Sequence, residues 1–250
     1  MTEKIIGVKS SLDKKQLNNK IIKDLKLLEL HLYEKDFLDF TDFKEKLTNI
    51  HNQHPNLKII LHAPIMEKQK EYLSLSEYNE DLYYKIYSVC KQLNFVIGVV
   101  IHSAYKKENQ DKSIITLNKL RDKYKGIDKY MYVENQTGNF SENKEEWLEF
   151  IKLAKISRIC FDICHFTKNY SQEDLEKYLL DLRKYVTKIY FHISDNNPGA
   201  GNSNPLNLGQ GSLDFKKLKN NIDFGIIETF PKDENIGKEV IEDYYYFLEQ

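Results

Sequence analysis

Short apolar runs, largely β-branched or aromatic, recur along this chain and alternate with longer segments whose apolar residues return every third or fourth position. The first pattern predicts buried strands and the second amphipathic helices, because side chains repeat every two residues in a strand and about every 3.6 in a helix. Residues 4–8 read as a first strand, and 13–23 as a short helix with Asp13 as its N-cap. The second strand, 25–32, holds Glu29 and His31, and 39–51 is helical, with Phe40, Phe43, Leu47 and Ile50 on one face. Strands follow at 57–62, 95–102, 130–134, 158–162, 188–193 and 224–228. Between them the spacing predicts helices over 76–93 and 113–124, one opening at Ser141, one over 171–185 and a short one over 213–219, with 236–248 closing the chain. Ser171-Gln-Glu-Asp174 gives the 171–185 helix a start like a capping box.

Eight strands alternating with helices, at a spacing of roughly 30 residues, is the pattern of an α/β protein built as a (β/α)8 barrel. An open doubly wound sheet is the alternative, but no Gly-x-Gly-x-x-Gly follows the first strand. With no linker or low-complexity tract, residues 1–250 read as a single barrel domain. The one long irregular loop, 196–211, is rich in Gly, Asn, Ser and Pro, and it leaves the seventh strand toward the face where barrel active sites are built.

Six of the eight strands end in a metal-ligand type of residue: His62, His102, Glu134, Asp162, His192 and Glu228, with His165 three residues beyond the sixth strand. Any one of these alone is as well explained by a hydrogen-bonded structural role. Together they converge on one end of a barrel, where carboxylates and imidazoles would repel or change protonation state unless a cation neutralised them. A hydrogen-bonded polar ring without metal is the competing reading. Mixed His and carboxylate ligands suit Mn, Co, Zn or Fe better than Mg or Ca, which prefer oxygen shells. The remaining histidines, His31, His51 and His54, look incidental, and core packing explains Cys160 and Cys164.

Composition narrows the function classes. Lys plus Arg (37) nearly balances Asp plus Glu (38), so no basic field draws the chain to nucleic acid, and only Arg121, Arg158 and Arg183 are arginines. The longest apolar run, 95–101, is too short to span a bilayer. The N-terminus runs straight into a strand-like segment without a secretory pattern, and three cysteines without Cys-x-x-Cys spacing fit a reduced, cytoplasmic protein. Tyr244, Tyr245 and Tyr246 on the last helix cannot all face one side, so at least one packs on the barrel, while the others leave a homo-oligomer contact open.

His62-Ala-Pro, Glu134-Asn135 with Gly138, Asp162-x-x-His165, His192-x-x-Asp195, Gly209-x-Gly211 and Ile227-Glu228-Thr229, in that order, resemble the xylose isomerase-like TIM barrel superfamily. That group includes the endonuclease IV branch (AP endonuclease family 2) and the ketose epimerases and sugar isomerases. The resemblance implies a first metal site of His62, His102 and Glu134, as in the nuclease branch. It implies a second of Glu134, Asp162, His192 and Glu228, so that one or two divalent ions are expected. In the epimerase branch the latter set holds a single ion, and Glu134 and Glu228 would be the catalytic pair, one removing and one returning a proton on opposite faces of a sugar. His165, Asn135 and Asp195 would bind substrate.

Departures separate the branches. Where the nuclease completes a third site with Asp-x-His, this chain has Ser203-Asn-Pro205, leaving His165 without a metal partner, and Ile65 stands where the nuclease carries an aromatic that enters DNA. The leading expectation is therefore a divalent-metal-dependent isomerase or epimerase of a sugar, sugar phosphate or cyclitol, with a small carbohydrate as its partner. A two-metal phosphodiesterase of the endonuclease IV type, which retention of His62 and His102 favours, and a non-catalytic metal-binding barrel are the rivals.

Overall fold

The computed structural model describes residues 4–63, 74–76, 78–104, 110–199, 205–229 and 237–250. Ile65, residues 200–204 of the long loop and the expected start of the last helix at 236 lie outside them.

Eight parallel strands close into a barrel in chain order, which is the (β/α)8 architecture that the alternation of patterns predicts. They are β1 (Ile5–Ser11), β2 (Leu27–His31), β3 (Lys58–His62), β4 (Val96–His102), β5 (Met131–Glu134), β6 (Arg158–Asp162), β7 (Lys188–Ile193) and β8 (Phe224–Ile227). The helices are α1 (Lys14–Lys20), α2 (Phe40–Gln53), α3 (Glu80–Gln92), α4 (Gln110–Lys123), α5 (Lys144–Leu153), α6 (Ile163–Thr167), α7 (Gln172–Leu182), α8 (Phe215–Leu218) and α9 (Lys238–Glu249). Among the described residues no helix is long and apolar enough to cross a membrane.

Strand alternation divides the apolar residues into two cores. Side chains on the outer face pack with the helices into one large cluster, where Phe43, Leu47, Trp147, Phe150, Phe161, Leu179 and Phe247 are fully buried. Those on the inner face, Leu27, Ile60, Val100, Tyr132, Cys160, Tyr190, Phe224 and Ile226, fill the barrel as a separate plug.

Local differences from the sequence reading have identifiable causes. β1 runs to Ser11, past residue 8, and so takes Lys9 into the sheet opposite Glu29. α3 starts at Glu80 because the Asn79 side chain accepts from the Leu82 backbone N–H. α5 opens at Lys144, capped by Asn143, whereas Ser141 lies in a 3-10 turn where its hydroxyl contacts Ser103 and accepts from Gln136 N–H. α6 was not foreseen; Asp162 caps it by accepting from His165 N–H at 2.7 Å. On α9, Tyr244 is buried while Tyr245 and Tyr246 are exposed. The three cysteines are free and buried.

Candidate metal centre

The plug sets the site by register. Two residues along from Gly7, Leu27, Ile60, Val100, Tyr132, Cys160, Tyr190 and Ile226 stand Lys9, Glu29, His62, His102, Glu134, Asp162, His192 and Glu228. In a strand such pairs share a face, so every strand contributes one polar residue to a layer directly above the plug. All six residues expected as metal ligands are in it. The sequence reading missed Lys9, which belonged to no recognised strand, and left Glu29 without a role. The period-two step from the plug residues is the signal that finds both.

His192 is the hub. Its Nδ1 lies 3.1 Å from Glu134 Oε1, 2.5 Å from Glu228 Oε2 and 3.9 Å from Asp162 Oδ2, while its Nε2 lies 2.8 Å from Glu29 Oε2. A proton on Nε2, donated to Glu29, leaves the Nδ1 lone pair for a ligand on the other side, the usual arrangement behind a metal-bound imidazole. Beside it, Glu134 Oε2 sits 3.4 Å from His62 Nε2 and 3.2 Å from His102 Nε2. Lys9 Nζ closes the ring, 2.6 Å from Glu228 Oε1 and 3.2 Å from Glu29 Oε1. The His31 ring lies 5.2 Å from that of His62, at the edge of the layer.

Burial opposes charge in this layer, and for Glu29, Glu134, Glu228 and His192 the neighbouring charges reverse its effect. His192, Lys9 and other groups hold Glu29 down at about 2 against burial. The imidazoles of His192 and His102 help to hold Glu134 well below the usual carboxylate range, and His192 and Lys9 do the same for Glu228. Burial alone would lower His192, but Cys160, Glu228, Glu29 and Glu134 around it raise it well above its usual value. Asp162 goes the other way: burial, reinforced by the charges of Glu228 and Glu134 and opposed by His165, raises it. Burial, with His62 and Lys9, takes His31 down to about 3.

Ligand-type atoms of Glu134, Asp162, His192 and Glu228 lie within 4.8 Å of one another, as do those of His62, His102 and Glu134. Smaller groupings of Glu29, His62 and His192, and of Glu134, Cys160 and His192, meet the same distance. Cys160 belongs to the plug one layer down, and burial raises its thiol well above the ordinary range. The donor set fits a divalent cation on a second count. Glu134 Oε2 and Glu228 Oε2 are buried and accept no hydrogen bond, although imidazole nitrogens lie close to both. An unsatisfied buried acceptor costs roughly 1–3 kcal/mol, and lone pairs converging on one space without donors are what a cation satisfies.

The three residues expected at the substrate divide. His165, on α6, borders the centre: its Nδ1 is 2.9 Å from the Asn135 carbonyl and 3.6 Å from Asp162 Oδ2, and its side chain is 21% exposed. Asn135 is turned to a structural task, accepting from Asp162 N–H and donating to Asp162 C=O, which ties the ends of β5 and β6 together. Asp195 is fully buried, and its carboxylate accepts backbone N–H groups from Asn196, Gly209, Gly211 and Leu213, so it folds the loop after β7. The amides of Gly209 and Gly211, which an anion-binding loop would need free, are spent on it. A Cβ at position 211 would come within 2.3 Å of Asp195 Oδ1 and 2.4 Å of the Asn196 carbonyl, which accounts for glycine there.

A closed parallel barrel with a polar layer of His, Asp and Glu at the C-terminal ends of its strands has that layer on the face where barrel active sites are built. Residues 29–241 match the xylose isomerase-like TIM barrel family, and the chain belongs to it. No curated protein matches the sequence. Among solved structures the chain is similar to a D-tagatose 3-epimerase-like protein (20% identity over 98% of this chain and 97% of that one, TM-score 0.68). It is also similar to the 3-keto-D-glucoside 4-epimerase of E. coli (13%, 99% and 100%, TM-score 0.68). The IolI protein with a bound zinc atom is a third likeness (15%, 97% and 96%, TM-score 0.65). At these identities the likeness is one of fold.

Proposed function

We propose that this protein is a divalent-metal-dependent isomerase or epimerase acting on a sugar, sugar phosphate or cyclitol. The observation that carries this reading is the pairing of Glu134 and Glu228, which enter one centre from β5 and β8 and each keep a buried oxygen with no hydrogen-bond partner. Glu134, Asp162, His192 and Glu228 would hold the ion, which when bound supplies Lewis acidity to a carbonyl or hydroxyl oxygen beside the reacting C–H. Glu29 fixes the His192 ring, and Lys9 fixes one oxygen of Glu228, leaving the other beside His192 Nδ1. Two carboxylates reaching one carbon from separate strands can remove a proton and return it, the requirement of an epimerisation. His165, partly exposed at the rim, would meet a substrate hydroxyl. Similarity of fold to two sugar epimerases supports the substrate class.

The grouping of His62, His102 and Glu134 favours a second reading, a two-metal phosphodiesterase with Glu134 as bridge. Incubating the Mn-loaded protein with ketoses and their phosphates in D2O separates the two. Deuterium entering a carbon-bound position, and falling at least 100-fold in Glu134→Gln and Glu228→Gln, is the expected result. Cleavage of an abasic-site duplex with no exchange on any sugar would decide for the hydrolase.

A further inference from the structure

The register that stacks the polar layer on the plug also fixes what lies beneath the plug. Two residues before Ile60, Cys160 and Tyr190 stand Lys58, Arg158 and Lys188, at the end of the barrel opposite His62, Asp162 and His192. Their counterparts Ile5, Gly98 and Phe224 on β1, β4 and β8 carry no charge. Arg158 and Lys188 are direct partners across β6 and β7, so two cations share one face on neighbouring strands, where like charges repel. The Arg158 guanidinium lies over the Tyr132 ring, 4.4 Å from its centroid, and donates to the Tyr132 hydroxyl. The Lys188 ammonium lies 4.2 Å from the centroid of the Phe224 ring, and the two rings are neighbours in the plug, 6.0 Å apart.

Contact with an aromatic face steadies each of these charges without neutralising it. Among the described residues neither cation forms an ion pair, whereas Arg121 on α4 is held by Asp128 at 3.0 Å. Burial and the Arg158 charge lower the Lys188 ammonium, and Asp223, just before β8, opposes them without pairing with it. Beside Lys188 a cavity of about 300 Å³, lined also by Arg183, Thr187, Asp223 and Phe224, lies at the same end of the barrel. The Arg183 guanidinium is fixed by the Asn221 side-chain oxygen and backbone carbonyl, at 3.2 and 2.7 Å.

We infer that this end of the barrel binds a phosphate group between Arg158 and Lys188, as the free ion or on a compact monoester whose organic part enters the cavity beside Lys188. A dianion bridging the two cations turns their repulsion into two charge-assisted contacts. The guanidinium keeps N–H groups beyond the one given to Tyr132, enough for a planar, two-point grip on phosphate oxygens. Phe224 and Val186 give the cavity an apolar wall, as small-molecule pockets have beside their few polar groups. The plug lies between this site and the polar layer, so neither needs the other.

The test is calorimetric titration of the full chain with inorganic phosphate and, separately, with a hexose monophosphate, in chelator so that no metal ion takes part. One phosphate per chain is expected in wild type and in Glu134→Gln, with an affinity that falls as ionic strength rises. Lys188→Met and Arg158→Met are each expected to weaken it by about 10-fold or more, and Lys188→Met alone decides if Arg158→Met does not fold. The melting temperature in phosphate-free buffer is an independent readout: Lys188→Met should equal or exceed wild type, because it relieves the repulsion. Tighter binding of the hexose monophosphate than of phosphate would support a monoester with its organic part in the cavity, and equal affinities would support the free ion. No binding of either by wild type would overturn the inference. So would wild-type affinity in Lys188→Met, most plainly with a lowered melting temperature, which would leave Lys188 as a structural cap on Phe224. Binding lost in Glu134→Gln but kept in Lys188→Met would also overturn it, by moving the phosphate to the polar layer.

Discussion

At the scale of single residues, the proposed metal reading sets a metal ion and a proton in competition for His192. Burial lowers its imidazole, but Cys160 and the carboxylates around it raise it well above its usual value, so a proton competes with a metal ion for Nδ1. Metal affinity is therefore expected to weaken as pH falls, with protons released on binding; titration calorimetry in buffers of different ionisation enthalpy measures this. The same groups set the stability of the metal-free form. A raised His192 stabilises it fully below the ordinary histidine value and less as pH climbs through the folded value, whereas Glu29, lowered from 4.5 to about 2, contributes above 4.5 and is lost as pH falls toward 2. The ligand ring was legible in the sequence because each member ends an apolar run. Lys9 and Glu29 were not, since nothing in a strand's sequence marks which mid-strand residue faces inward until its neighbours' register is known.

At the scale of elements, Asp162 does two jobs at once. One oxygen caps α6 through His165 N–H, and the other faces His165 and His192, so the Asp-x-x-His spacing is also an N-cap followed by the third helical position. The two jobs come apart by substitution. Asp162→Asn keeps an oxygen for the cap and should lose metal binding with a melting point close to wild type, whereas Asp162→Ala should lose both, at a further cost of about 1 kcal/mol. Denaturant melts of the metal-free variants check this. Capping residues were readable at Asp13 and Ser171, where the structure has them. They misled at Ser141, because Asn143 two residues on is an equally good cap and takes the helix. Asp195 has a role that motif spacing does not reveal: the fold turns its carboxylate onto loop amides.

At the scale of the whole molecule, alternation of strand and helix patterns made the barrel legible, and the structure shows its eight strands closed in chain order. What pattern alone could not give is the division of the apolar residues into an outer core and an inner plug, because both read as strand hydrophobes. The plug is the floor on which the polar layer stands, so damage to it should reach the centre. Ile226→Ala, two residues before Glu228 and fully buried, is expected to cost about 2–5 kcal/mol through the cavity it leaves and to weaken metal binding through slack in β8. Chemical denaturation read beside metal affinity would reveal the two losses together.

The polar layer is held to be a divalent-metal centre, and the most direct test is elemental mass spectrometry of the protein purified without chelator, beside Glu134→Gln. Glu134 contacts His62, His102 and His192 and belongs to three of the four groupings, including both main ones, so its loss removes a ligand from each of them. A bound divalent transition metal in the wild type, lost in Glu134→Gln, is the predicted result. A wild-type protein that holds no such ion, even after incubation with Mn, Co, Zn and Fe salts, would contradict it, and the ring of His and carboxylates would then be a hydrogen-bonded layer tied together by Lys9 and His192.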